Sequence, residues 1–193
     1  MEAVFAWLAE NFDLPILDWI SARLSCPTLD RVMPIITALG NAGFFWILLS
    51  VILLLTPRCR KAGASMALAL ILGLVVCNAV MKPLFARIRP YDYQLLHHGR
   101  VVCLLVEAES DFSFPSGHTI ASFEAATALC IRDRHSGIPA LILACLIAFS
   151  RLYLYLHYPT DVLASVVLGI GIAFLASWAV DAGHRICRRH GIL

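Results

Sequence analysis

The sequence predicts an all-α fold, a polytopic membrane helix bundle with five transmembrane spans and an N-terminal interfacial amphipathic helix, with six spans as the alternative. Three observations predict it. Hydrophobic residues fill 60% of the 193 positions and mean hydropathy is +0.81, outside the range of water-soluble globular chains. Five stretches reach or approach the length of apolar helix, about 20 residues, that crosses a bilayer. Net charge is only +2, which excludes a general nucleic-acid footprint and leaves positive charge to act locally.

Residues 3–25 carry Glu10, Asp13, Asp18 and Arg23 among Phe5, Leu8, Phe12, Ile16, Ile20 and Leu24. That spacing marks an amphipathic helix lying in the membrane interface, with a sixth span as the alternative. Asp13 before Leu14 and Pro15 reads as a helix restart, with Asp13 as its cap. Pro34 to Leu55 and Ala62 to Met81 contain no charged residue. Phe114 to Ile131 carries only His118 and Glu124, Ile138 to Leu156 only Arg151, and Val162 to Val180 none. The organisation expected is an interfacial segment over 1–30, a membrane domain over 31–185 and a cytoplasmic tail over 186–193.

If five spans alternate, Arg58, Arg60 and Lys61, then Arg132, Arg134 and His135, then Arg185, Arg188 and Arg189 share one side, which the positive-inside rule makes the cytoplasm. The segment from Lys82 to Phe114 and the turn around His157 fall on the opposite, extracytoplasmic side. Of the seven cysteines, only Cys26 and Cys103 lie outside the bilayer together on one side, which leaves a disulfide between them open. None of the cysteine spacings builds a zinc site. The acidic N-terminus does not resemble a cleaved signal.

Three segments on that outer side hold the polar groups that packing explains least. Lys82 to Pro90 supplies Lys82 and Arg89, donors suited to phosphate oxygens; snorkelling to the interface is the bland reading. Pro115-Ser116-Gly117-His118 opens a helix, where free backbone N–H groups, a glycine and a hydroxyl make an anion cradle; an ordinary capped start is the alternative. Ser150-Arg151 to His157 and Asp161 places an arginine near the end of an apolar helix, where it needs a partner. His157 and Asp161 stand four apart, so the carboxylate can orient the imidazole if a helix starts near Pro159.

Together the segments read K-x6-R-P, P-S-G-H and S-R-x5-H-x3-D, and their order and spacing resemble those of the type 2 phosphatidic acid phosphatase family, whose site is similar to that of the vanadium haloperoxidases. The resemblance covers about residues 34–183. It implies a membrane phosphatase domain in which His157 attacks phosphorus to form a phosphohistidine and Asp161 orients it. His118 would protonate the leaving oxygen and then activate water. Lys82, Arg89 and Arg151, with Ser116 and the Gly117 amide, would stabilise the equatorial oxygens. Neither a metal ion nor another cofactor is implied. The family usually has six spans, one more than is counted here.

Other residues have open readings. Glu124 follows Gly117 by seven positions, as a contact to a motif residue or an interhelical hydrogen bond; Asn78 is one turn before Lys82, to orient it or simply to pack; Ser150 sits beside Arg151. Arg87 reaches a second phosphate or snorkels. Glu107, Glu109 and Asp111 would repel an anionic headgroup if they faced the site.

The substrate expected is a lipid phosphate or diphosphate at the membrane surface. Undecaprenyl diphosphate suits the chain's size and outward site, with phosphatidylglycerophosphate, phosphatidate and diacylglycerol diphosphate as alternatives. A small transporter, or a phosphotransferase with the same residues, are rival classes. The sequence bears on membrane lipids as surroundings and is silent on oligomeric state.

Overall fold

The computed structural model describes residues 2–189, and every regular element among them is helical. The chain opens with α1 (Glu2–Leu8), a π-helical turn (Ala9–Asp13) and α2 (Leu14–Leu24). The expected restart at Asp13 does not occur. Asp13 has helical backbone angles and no capping bond, and the helix runs through it by a π turn. Ala9, Asp13, Leu14, Leu17 and Ile20 form the buried stripe, so the predicted amphipathicity is used against protein. That stripe packs with Tyr91, Tyr93 and the Tyr153–Tyr158 turn.

α3 (Pro27–Ala38) and α4 (Phe44–Leu55) are bent by 44° to each other across a short break. Gly43 permits the bend, because its φ of 65° lies in the left-handed region. α5 (Arg60–Leu74) continues through a second π-helical segment (Val75–Met81) into α6 (Lys82–Phe85), and α7 (Pro90–His98) follows. A non-helical segment then leads to α8 (Gly117–Arg132), α9 (Arg134–Tyr153) and α10 (Pro159–Arg189). α10 runs unbroken through 186–189 of the expected tail; residues 190–193 lie outside the described residues.

Three helical stretches, starting at Arg60, Arg134 and Pro159, are long and apolar enough to cross a membrane, and the bent α3–α4 pair makes a fourth. The remaining predicted span corresponds to α8. With 16 residues it is about 24 Å long, short of the ~30 Å hydrocarbon core. α8 is the axis of the bundle, sheathed by α5, α9 and α10, and it buries every residue from Ser122 to Leu129. Small residues allow this. Ala125, Ala126 and Ala128 meet Ala140 and Ala144 of α9 and Ala173 and Ala176 of α10, so backbones approach closely where lipid gives no hydrophobic drive. The large apolar side chains, such as Ile52 and Leu55, Ile138 and Ile142, and Val167 and Phe174, point outward. Cys26 and Cys103 are both free and exposed, so the disulfide left open by sequence is not formed.

Candidate active site

The α9–α10 turn places the central imidazole. Asp161 sits in the first turn of α10, and the Tyr158 N–H donates to its Oδ2 at 3.1 Å, folding the turn so that His157 points inward, 1% exposed. His157 Nδ1 donates to the Ser113 carbonyl at 2.8 Å. That bond fixes the tautomer and leaves Nε2 as the unprotonated nitrogen. Burial, with the nearby Arg89 and Arg151 cations, holds the imidazole well below its ordinary pKa and therefore neutral.

The predicted His157–Asp161 contact is longer than expected. Nδ1 and Oδ2 are 3.7 Å apart, an electrostatic distance and not a hydrogen bond. Ser113 mediates instead: its Oγ donates to Asp161 Oδ2 at 2.5 Å, its carbonyl receives His157, and its N–H donates to the Arg87 carbonyl at 2.8 Å. Sequence reasoning missed Ser113, which has no motif signal of its own beyond preceding Phe114-Pro115.

Cations converge on the Nε2 side of His157. Arg89 Nη1 lies 3.4 Å from Nε2 and donates to the Leu156 carbonyl at 2.9 Å. Arg151 donates through Nη1 to Thr37 Oγ1 at 2.8 Å and through Nη2 to Glu109, while its buried Nε has no partner. Lys82 pairs with Asp111. Asp111 also takes Arg89, through its Oδ1 at 2.5 Å and its backbone carbonyl at 2.9 Å, and Glu109 Oε2 meets Arg89 Nη2 at 2.5 Å.

Of the three acids that would repel an anionic headgroup if they faced the site, Glu109 and Asp111 do line the cavity, paired with its cations. The partner that Arg151 needs near the end of its helix is supplied by a protein carboxylate, Glu109. Burial pushes the Glu109 carboxyl up, but Arg151 and Arg89 outweigh it and bring it to about 2. Asp111 reaches about 2 in the same way, through hydrogen bonds from Lys82 and Arg89.

A cavity of about 610 Å³ opens beside these groups, lined at its polar end by Lys82, Glu109, Asp111, Gly117, His118 and His157. His118 Nε2 meets Asn41 Oδ1 at 2.9 Å, and Nδ1 makes no hydrogen bond among the described residues. Ser116 departs from the expected cradle: its N–H donates to Ser165 Oγ at 2.8 Å, and its hydroxyl accepts from Thr119 Oγ1 at 3.0 Å. Such a set can hold a tetrahedral anion against a neutral imidazole nitrogen, with a second imidazole at the same cavity.

A model described as the PAP2 superfamily matches residues 61–185, which hold all three motifs. The chain belongs to that superfamily. It is a membrane lipid phosphatase. An undecaprenyl-diphosphatase of Sulfolobus acidocaldarius is 32% identical over 77% of this chain and 69% of its own length. Phosphatidylglycerophosphatase B of Bacillus subtilis is 32% identical over 77% of this chain and 74% of its own. The crystal structure of Aquifex aeolicus LpxE is similar with a TM-score of 0.72 at 27% identity, covering 85% of this chain and 93% of that one.

Four flanking residues of this PAP2 phosphatase take settled places. Ser150 donates to the Ile147 carbonyl of its own helix, at 2.6 Å, and so serves α9. Asn78 is exposed and lines the cavity from the π-helical segment, with no hydrogen bond to Lys82. Glu124 is buried, lines the cavity and lies against Gly73 of α5, where any Cβ would fall 1.9 Å from Oε2, and its side chain makes no hydrogen bond to a motif residue. Arg87 neither snorkels nor faces the cavity: it is buried between Asp13 and Asp161.

Proposed function

We propose that residues 31–185 form the catalytic domain of an extracytoplasmic undecaprenyl diphosphate phosphatase that works through a phosphohistidine on His157. The observation that carries the mechanism is the His157 imidazole, neutral and tied through Nδ1 to Ser113, with Nε2 turned to Arg89. In the first step Nε2 bonds to the terminal phosphorus and the bond to the bridging oxygen breaks. That oxygen takes a proton from His118 and leaves as the lipid monophosphate. Water, giving its proton back to His118, then cleaves the P–N bond and releases inorganic phosphate. Lys82, Arg89 and Arg151, with the Gly117 N–H at the start of α8, neutralise the transferring oxygens. Binding requires Glu109 and Asp111 to give up those donors to the substrate.

The relative named as an undecaprenyl-diphosphatase supports the choice of lipid. The apolar inner lining, with Ile47, Leu70 and Leu74, suits a prenyl chain. The relative named phosphatidylglycerophosphatase B favours a second reading, phosphatidylglycerophosphate. Phosphate release from each purified lipid, compared as kcat/KM in the presence of EDTA, decides between them. The expected result is a preference for undecaprenyl diphosphate of about tenfold or more, or about 1.4 kcal/mol of transition-state binding. His157→Ala should abolish turnover and the acid-labile phosphoenzyme while the protein remains folded. Residual turnover in that variant would remove the nucleophile.

A further inference from the structure

The N-terminal helix reaches the site with one charged residue, beside the Phe5 ring that also lies against Arg87. Asp13 is 0% exposed; its Oδ2 accepts from Arg87 Nη2 and from Thr160 Oγ1, each at 2.7 Å, and its Oδ1 accepts from the Thr160 N–H at 2.9 Å. Arg87 uses its other terminal nitrogen on Asp161 and on Thr160 Oγ1, the latter at 2.8 Å. Its guanidinium carbon also lies 3.7 Å from the centre of the Tyr158 ring, so the cation is held by its face as well as its edge. Asp161 leads on to Ser113, and Ser113 to His157 Nδ1.

Adding the charges gives this chain of contacts a purpose. Asp161 and Arg87 alone cancel, and His157 would then face a neutral pair. Attack by Nε2 makes the imidazole ring cationic, and a buried cation needs net negative charge close by. On the Nε2 side Glu109 Oε2, 4.0 Å away, is already matched by Arg89 and Arg151; on the Nδ1 side Asp13 supplies it, bringing the three groups to one negative charge. Capping the start of α10 would require only an acceptor for the Thr160 N–H, with neither a full charge nor contact with Arg87.

We propose that Asp13 is a positioning residue for phosphoryl transfer: by neutralising Arg87 it frees the charge of Asp161 to stabilise the His157 cation. The N-terminal helix is then a working part of the site as well as a membrane-surface element. Asp13 touches no substrate and acts only through Arg87 and Asp161. The inference rests on His157 as the nucleophile.

The test uses the full chain in detergent with terminally radiolabelled farnesyl diphosphate, a short prenyl diphosphate, and compares Asp13→Asn with the double variant Asp13→Asn, Arg87→Gln. Asp13→Asn should lower kcat on the order of 10- to 100-fold, the scale on which supporting partners of a site act, with KM within about threefold of wild type. Labelled phosphohistidine in samples quenched in alkaline detergent should fall in parallel. The double variant restores the sum of one negative charge, so its kcat should recover to within about tenfold of wild type, which loss of a purely structural contact would not allow.

Wild-type turnover in Asp13→Asn, or a double variant no better than that single one, overturns the inference. If Asp13→Asn does not fold, the double variant decides alone, and its inactivity or failure to fold also counts against the proposal. Failure of the underlying reading looks different. In that case the wild type itself traps no label, whatever Asp13→Asn does.

Discussion

At the scale of single residues, Glu109 and Asp111 decide when the cations are available. Arg89 and Arg151 are buried behind these carboxylates, and Lys82 is paired to one of them, so a phosphate competes with the protein's own acids for each donor. Glu109→Gln removes the charge that bridges Arg89 and Arg151. It should lower the competitive inhibition constant of inorganic phosphate by about tenfold, the equivalent of ~1.4 kcal/mol; an unchanged or raised constant would mean that Glu109 does not compete for the seat. Acid should do the same to the wild type. Both carboxyls are brought down, from 4.5 and 3.8 to about 2, so the latch they form is complete above about pH 4.5 and is lost as pH falls toward 2. Amide exchange in residues 101–116, corrected for its intrinsic pH dependence, should accelerate across that window and stay flat above it. The motif residues His157, His118, Lys82, Arg89 and Arg151 were legible in the sequence because their types and spacing are fixed locally. Glu109 was not: its contact with Arg151 spans 42 positions, and an acid beside a phosphate site reads from sequence as repulsion.

At the scale of elements, close packing around α8 sets the geometry of the site, because α8 carries His118 and touches the helices that hold Arg151 and Asp161 and the π-helical segment that leads into Lys82. Glycine positions test this directly. A Cβ at Gly137 of α9 would fall 2.2 Å from Cys130 Cα, a backbone atom of α8 that cannot swing aside. Gly171 of α10 meets nothing within 4 Å. Gly137→Ala should destabilise the folded protein by about 1–3 kcal/mol through overpacking. Gly171→Ala should instead be neutral or gain up to ~1 kcal/mol from helix propensity. Unfolding in detergent, followed by the loss of helical signal, checks both; equal effects would remove the packing argument. Apolar composition made the helices legible, but their irregularities were not. The π-helical turn at Ala9–Asp13 was read as a cap and restart, since Asp-Leu-Pro is a local start signal, whereas the partners that bury Asp13 are 74 and 147 positions away. Those distant contacts outweigh the local preference.

At the scale of the whole molecule, Arg132 draws three helices together at the end opposite the site. Its guanidinium donates to Ser65 of α5 at 3.1 Å and to Asp181 of α10 at 2.8 Å, beside the basic residues Lys61, Arg134 and Arg185. The cluster of Lys82, His118 and His157 lies at the other ends of the same helices, so one bundle separates a basic end from a phosphate-binding end. The positive-inside rule assigns the basic end to the cytoplasm, and the proposed orientation follows from that charge asymmetry. Two exposed cysteines at the site end, Cys26 and Cys103, and two half-buried ones at the basic end, Cys59 and Cys187, make the assignment measurable. In variants that keep one of the four and replace the other cysteines by serine or alanine, a membrane-impermeant maleimide added to intact cells should label Cys26 and Cys103. Cys59 and Cys187 should react only after permeabilisation. The reverse pattern would turn the molecule over and put His157 in the cytoplasm, where a lipid phosphate of the inner leaflet would become the substrate to test. Labelling of Cys103 but not Cys26 in intact cells would place the two on opposite sides, and the bent α3–α4 pair would then enter and leave the membrane on one side instead of crossing it.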